Sequence, residues 1–175
     1  MIIRDNGGKD YELIDAGLHA GICTRVVPLG VHDTDYGKKE KLVIIFELAE
    51  KMSDGRPFML SKIYTASTNE KANLRKDLNT WRGVAMTDAE AAAFDTDVIV
   101  GKPAYINVVH SQRDGKTYAN IGGILRLPKG IEPPVSTEQP TPEWITKMAA
   151  KGGINANTDG INQTPPADNE EPLPF

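Results

Sequence analysis

The chain has 175 residues, 39% hydrophobic and 25% charged, with a formal net charge of −4, a balance that fits one globular domain and excludes fibrous repeats. A single cysteine, Cys23, excludes an internal disulfide or a Cys-x-x-Cys knuckle, and the longest apolar run, Leu42–Phe46, is too short to span a bilayer. Charge is uneven: residues 1–130 carry 18 Lys+Arg against 17 Asp+Glu, a net of +1, while residues 131–175 sum to −5.

The opening Met1-Ile-Ile-Arg-Asp-Asn-Gly-Gly lacks the apolar region of a secretory signal, so an intracellular protein is expected. Residues Leu18–Val27 alternate, with Leu18, Ala20, Ile22, Thr24 and Val26 on one face and His19, Cys23 and Arg25 on the other, which predicts a strand. The polar, turn-rich stretch 28–39 predicts a loop. A second strand is predicted in Glu40–Glu50, with Leu42, Ile44, Phe46 and Leu48 on the core face. Ser53-Asp-Gly-Arg predicts a hairpin turn into a third strand, Pro57–Tyr64. The period then changes. Ser67 and Glu70 have capping-box spacing, and Leu74, Leu78 and Trp81 recur at four and three residues, predicting an amphipathic helix of about three turns. Thr87 and Glu90 repeat that spacing before a short Ala-rich helix ending at Phe94. Val98–His110 and Thr117–Leu127 read as strands joined by the turn Arg113-Asp-Gly-Lys, and Gly122-Gly123 predicts a bulge.

Three strands, a helical segment and a two-strand hairpin form the element order of a mainly β, five-stranded OB-type barrel with a helical insert between strands 3 and 4. An α+β sandwich gives the same string. The domain is expected to span 1–130. Beyond it, 131–175 reads as a Pro-rich linker and a disordered acidic tail, with a short helix over 142–151 on which Trp144, Ile145 and Met148 share one side.

Enzyme signatures are few. There is no phosphate loop, no dinucleotide fingerprint and no nucleophile elbow, and His19, His32 and His110 lack metal-ligand spacing. No cofactor and no metal is expected; Asp33 and Asp35 read as a solvated turn. What the body offers is basic and aromatic. Lys38, Lys39 and Lys41 lie in the first loop region, Lys62 and Tyr64 on strand 3, and Arg113 and Lys116 at the last turn between Tyr105 and Tyr118. Arg25 lies on strand 1 opposite Ile22 and Val26. Single-strand binders combine cations that track phosphates with flat rings on which bases stack. In this reading Lys38, Lys39, Lys41, Lys62, Arg113 and Lys116 meet phosphates, and Tyr64, Tyr105 and Tyr118 stack bases.

The chain ends Asp168-Asn-Glu-Glu-Pro-Leu-Pro-Phe175, where a terminal apolar ring after acids suits a docking peptide. This tip, with the run 101–130, resembles bacterial and bacteriophage single-stranded DNA-binding proteins, in which an OB domain is followed by a flexible linker and an acidic tip. The resemblance implies coverage of single-stranded DNA during phage replication or recombination, without catalysis, in the cytoplasm of a bacterial host. It also implies recruitment of replication or recombination proteins through Asp168, Glu170, Glu171, Leu173, Pro174 and Phe175. The oligomer, a homodimer among the options, stays open. A replisome adaptor that binds protein instead of DNA, and a divalent-metal nuclease, are the alternatives.

Overall fold

The computed structural model describes residues 12–154; the expected tip residues Asp168, Glu170, Glu171, Leu173, Pro174 and Phe175 lie outside the described residues. The element order is β1 (Gly17–Thr34), β2 (Gly37–Lys51), β3 (Pro57–Thr65), α1 (Asn73–Arg82), α2 (Asp88–Ala92), β4 (Pro103–Arg113), β5 (Lys116–Leu125) and α3 (Glu143–Lys151). A 3-10 turn, Thr96–Ile99, occupies the start of the stretch expected to be the fourth strand.

The strands form one antiparallel sheet in the order β3-β2-β1-β4-β5. This corrects the expected OB-type barrel. β3 and β5 are the two edges, no ladder joins them, and the sheet is open. The resemblance to OB-fold single-stranded DNA-binding proteins falls with the barrel it implied. Element order alone does not encode closure, which depends on strand tilt and stagger around the whole sheet. Here α1 packs against both β3 and β5, on the core face.

The second correction concerns the stretch 28–39. It is not a loop: β1 runs to Thr34 and β2 starts at Gly37, so these residues form a β-ribbon turning at Asp35-Tyr36. Two register shifts in β1, at Thr24 and Leu29, explain why its alternation misleads. Each inserts one residue and reverses the facing of the strand beyond it. Cys23 and Val26 therefore both belong to the main core, whereas Leu29 and Val27 turn to the opposite face.

The main core gathers Cys23, Leu42, Ile44, Phe46 and Leu48 with Ile106, Val108, Ile121 and Ile124, capped by Leu74, Leu78 and Trp81 of α1. Phe46 and Trp81 meet edge to face at 5.4 Å, and the Trp81 indole N–H donates to the Pro103 carbonyl at 2.8 Å. Helix α1 begins at Asn73 without a side-chain cap, because Ser67 and Asn69 accept from backbone N–H groups two residues on and shape a turn instead. The capping box at Thr87 and Glu90 does form, and Glu90 also takes a bidentate pair from Arg82 at 2.8 and 3.0 Å. Arg75 of α1 is buried; it donates to the Met86 carbonyl and to Asp88.

The outer face of β1–β2 is covered as well. Leu29, Val43 and Ile45 receive Ile145 and Ala149 of α3, which explains why the run Leu42–Leu48 is buried on both faces. The Pro-rich segment leading to α3, read from composition as linker, runs back over the sheet. Glu47, 1% exposed in mid-strand, accepts from the Thr137 backbone N–H at 3.0 Å and from its hydroxyl. Arg25 donates to the Gln139 carbonyl at 2.9 Å and to the Thr141 hydroxyl. Between these clasps Glu138 has φ 56°, a left-handed conformation that costs a non-glycine residue about 1–2 kcal/mol. At the far end the Val31 N–H donates to the Gly152 carbonyl at 3.1 Å.

Candidate nucleic-acid interface

Among the described residues, no element covers the outer face of β4–β5. Ile106 and Val108 point into the core, so Tyr105, Asn107, Val109 and Ser111 point out. Across the ladder Tyr105 pairs with Leu125 and Ser111 with Tyr118, while Leu18, Ala20 and Ile22 of β1 extend the same face. Leu18, Val109, Leu125 and Tyr118 are 39–46% exposed, and Tyr105 is half-buried. None of these face positions carries a charge near neutral pH. Tyr105 and Tyr118 thus share one surface, about 20 Å apart at roughly 3.3 Å per residue over six residues of β4.

At the end of this face Asp114 and Gly115, φ 52° and 75°, make the tight turn expected from Arg113-Asp-Gly-Lys, and Arg113 and Lys116 are exposed beside it. The bulge expected at Gly122-Gly123 is present: Asn107 faces Gly123 and Val108 faces Ile121, leaving Gly122 extra. A Cβ on Gly122 would lie 2.7 Å from a Val109 methyl, so glycine there lets the bend close.

The other expected contacts are placed differently. Tyr64 is 2% exposed, and its hydroxyl donates to Asp77 at 2.7 Å. Burial first and the Asp77 carboxylate second push its phenol far above the ordinary tyrosine range. Tyr64 is a core residue and presents no ring for stacking. Lys62 pairs with the same Asp77 at 2.7 Å, and Lys41 donates to the Thr65 hydroxyl at 2.7 Å. Arg25 holds the 139–141 segment. Lys38 and Lys39 stand exposed on the β1–β2 ribbon, Lys38 4.0 Å from Asp33. The outer face of β1–β2, which carries Arg25, lies beneath α3 and the 131–141 segment. The structure therefore brings together Tyr105, Tyr118, Arg113 and Lys116, and separates them from Arg25, Lys38, Lys39, Lys41, Lys62 and Tyr64.

Between the sheet edges opens a cleft of about 520 Å³, walled by residues 59–63 of β3 and 118–121 of β5, with Trp144 of α3 at its side. Trp144 is 47% exposed while its neighbour Ile145 is fully buried, so the helix puts its aliphatic stripe on the sheet and leaves the indole beside the cleft. Sequence reasoning placed Trp144 and Ile145 on one side of a tail helix and attached no site to it. It also passed over Glu47, whose signal was an acid inside the apolar run VIIFEL.

Among the described residues no three His, Cys, Asp or Glu side chains converge to hold a metal ion. Cys23 is fully buried, and burial pushes its thiol up to about 12, so it is no nucleophile near neutral pH. His19 bridges the Asp15 carbonyl and Glu50, and His110 contacts the Ile14 carbonyl; both tie residues 14–15 to the sheet. No helix among the described residues is long and apolar enough to cross a membrane. No protein-family model matches the chain, and a search of curated proteins finds no match either.

Proposed function

We propose that the chain binds single-stranded DNA with little sequence preference on the outer face of β4–β5. The observation that carries this reading is the alignment of Tyr105 and Tyr118 on one uncharged sheet face that no described element covers and that ends at Arg113 and Lys116. Open sheets recognise single strands by stacking unpaired bases on outward aromatics, and a closed barrel is not required. The chain carries 20 Lys+Arg against 24 Asp+Glu, so long-range attraction to a polyanion is weak and stacking supplies most of the affinity.

The test is fluorescence anisotropy of a labelled oligo(dT) of about 30 nucleotides, titrated with the full chain. Stacking contributes about 1–3 kcal/mol per base, so Tyr105→Ala and Tyr118→Ala should each weaken binding roughly 5- to 150-fold. Replacing Arg113 and Lys116 together should flatten the slope of log affinity against log salt by about 1.4, at roughly 0.7 per phosphate contact. Absence of saturable binding at low salt, or tyrosine variants that bind like the parent, would overturn the proposal. A protein-binding adaptor is the second reading; the lack of charge on the β1–β4–β5 face favours it, and it is the reading that survives if DNA does not bind.

A further inference from the structure

We infer that the cleft between β3 and β5 is a nucleobase pocket, in which one base of the bound strand leaves the β4–β5 face and stacks on Trp144. The inference rests on the single-strand reading of that face and adds a site to it. Its size suits a flat heteroaromatic ring with part of its sugar, since pockets for small molecules run from about 300 to 1,000 Å³. Its chemistry suits a neutral occupant. Lys62 is the one charged side chain among the lining residues, and its charge is held by Asp77 at 2.7 Å. A phosphate would find no uncommitted cation there, whereas a base would find two exposed rings, Tyr118 and Trp144, and the polar side chains of Ser61 and Asn120.

Asn120 already donates its amide N–H to the Ser111 hydroxyl at 2.6 Å, which orders the side chain on the cleft wall. Tyr118 belongs both to the β4–β5 face and to the cleft, so a strand lying on that face reaches the cleft without a break. The position of the indole is imposed by α3. Ile145 and Ala149 are buried against Leu29, Val43 and Ile45, and the clasps on Thr137 and Thr141 set where the helix begins. The 131–154 segment, on this inference, presents a stacking ring to the ligand.

Tryptophan emission tests it directly. The chain has two tryptophans; Trp81 is 3% exposed in the core, so a ligand-induced change reports Trp144. Titrating the full chain with unlabelled oligo(dT) should quench emission in parallel with the anisotropy change, and Trp144→Phe should lose the quench while keeping most of the affinity. Trp144→Ala should weaken oligo(dT) binding about 5- to 150-fold, and circular dichroism should show the fold retained because Ile145 still anchors α3. Normal oligo(dT) binding with unmoved emission and an unaffected Trp144→Ala variant would overturn the pocket and leave the function intact. Failure of the parent chain to bind oligo(dT) would overturn both.

Discussion

Gly152→Ala is expected to loosen α3 from the sheet, although alanine is the better residue almost anywhere glycine is not required. Gly152 has φ −80° and ψ 1°, which any residue adopts. On conformational grounds the substitution should stabilise the chain by about 0.4–1 kcal/mol. Packing reverses the sign. A Cβ at this position would lie 1.8 Å from the Leu29 carbonyl oxygen and 2.9 Å from the Gly30 Cα. Ordinary contact begins near 3.4 Å, so the end of α3 must move away by well over an ångström, and backbone atoms cannot swing aside as a side-chain tip does. That displacement breaks the bond from the Val31 N–H to the Gly152 carbonyl, a net loss of about 0.5–1.5 kcal/mol, or about 1–3 if the amide stays buried unpaired. It also loosens Ile145, whose full burial contributes about 1.5–3 kcal/mol. The net loss is about 2–4 kcal/mol, limited by the free energy that docks α3, since beyond it the helix simply leaves. Urea unfolding gives the global number, and amide hydrogen exchange shows whether residues 143–151 lose protection while β2 and β4 keep theirs. A variant as stable as the parent or more so, with α3 protection unchanged, would refute the close approach of Gly152 to β1.

Glu47→Ala should release the 131–141 segment, because it removes the acceptor of both the Thr137 amide and its hydroxyl; a loss of about 1–3 kcal/mol and faster cleavage by thermolysin near Ile131 and Val135 are expected. Glu90 should contribute to acid sensitivity: hydrogen bonds from Arg82 foremost, then from the Thr87 backbone, lower its carboxyl from 4.5 to about 2. A carboxylate lowered on folding stabilises fully above its unfolded value, and the contribution is lost as pH falls from about 4.5 through about 2. Unfolding measured between pH 7 and 2 should therefore show a shallower acid limb in Glu90→Gln than in the parent, and identical limbs would exclude the Arg82 pairing.

Period and turn chemistry carried much of the architecture. The alternation of Leu42, Ile44, Phe46 and Leu48, the helical spacing of Leu74, Leu78 and Trp81, the Asp-Gly turn at 114–115 and the extra residue at Gly122 are local signals, set by which φ/ψ and which side-chain spacing a short segment tolerates. The helix at 143–151 was legible for the same reason. Closure, coverage and availability were not. Whether β3 and β5 pair depends on the curvature accumulated over five strands, and no segment of either strand encodes it. The bulges at Thr24 and Leu29 reset the facing along β1, and the first moves Arg25 off the face it was expected to share with Cys23 and onto a clasp with Gln139 and Thr141. Tyr64 and Tyr118 look alike in sequence, each in a strand beside basic residues. The first is buried because α1 brings Asp77 to its hydroxyl, and the second is exposed because no element among the described residues covers the outer face of β5. Composition marked 131–141 as unable to fold by itself. Only the tertiary structure decided that it need not, since a buried carboxylate at Glu47 and a paired guanidinium at Arg25 supply from the sheet the hydrogen bonds that the segment cannot make internally.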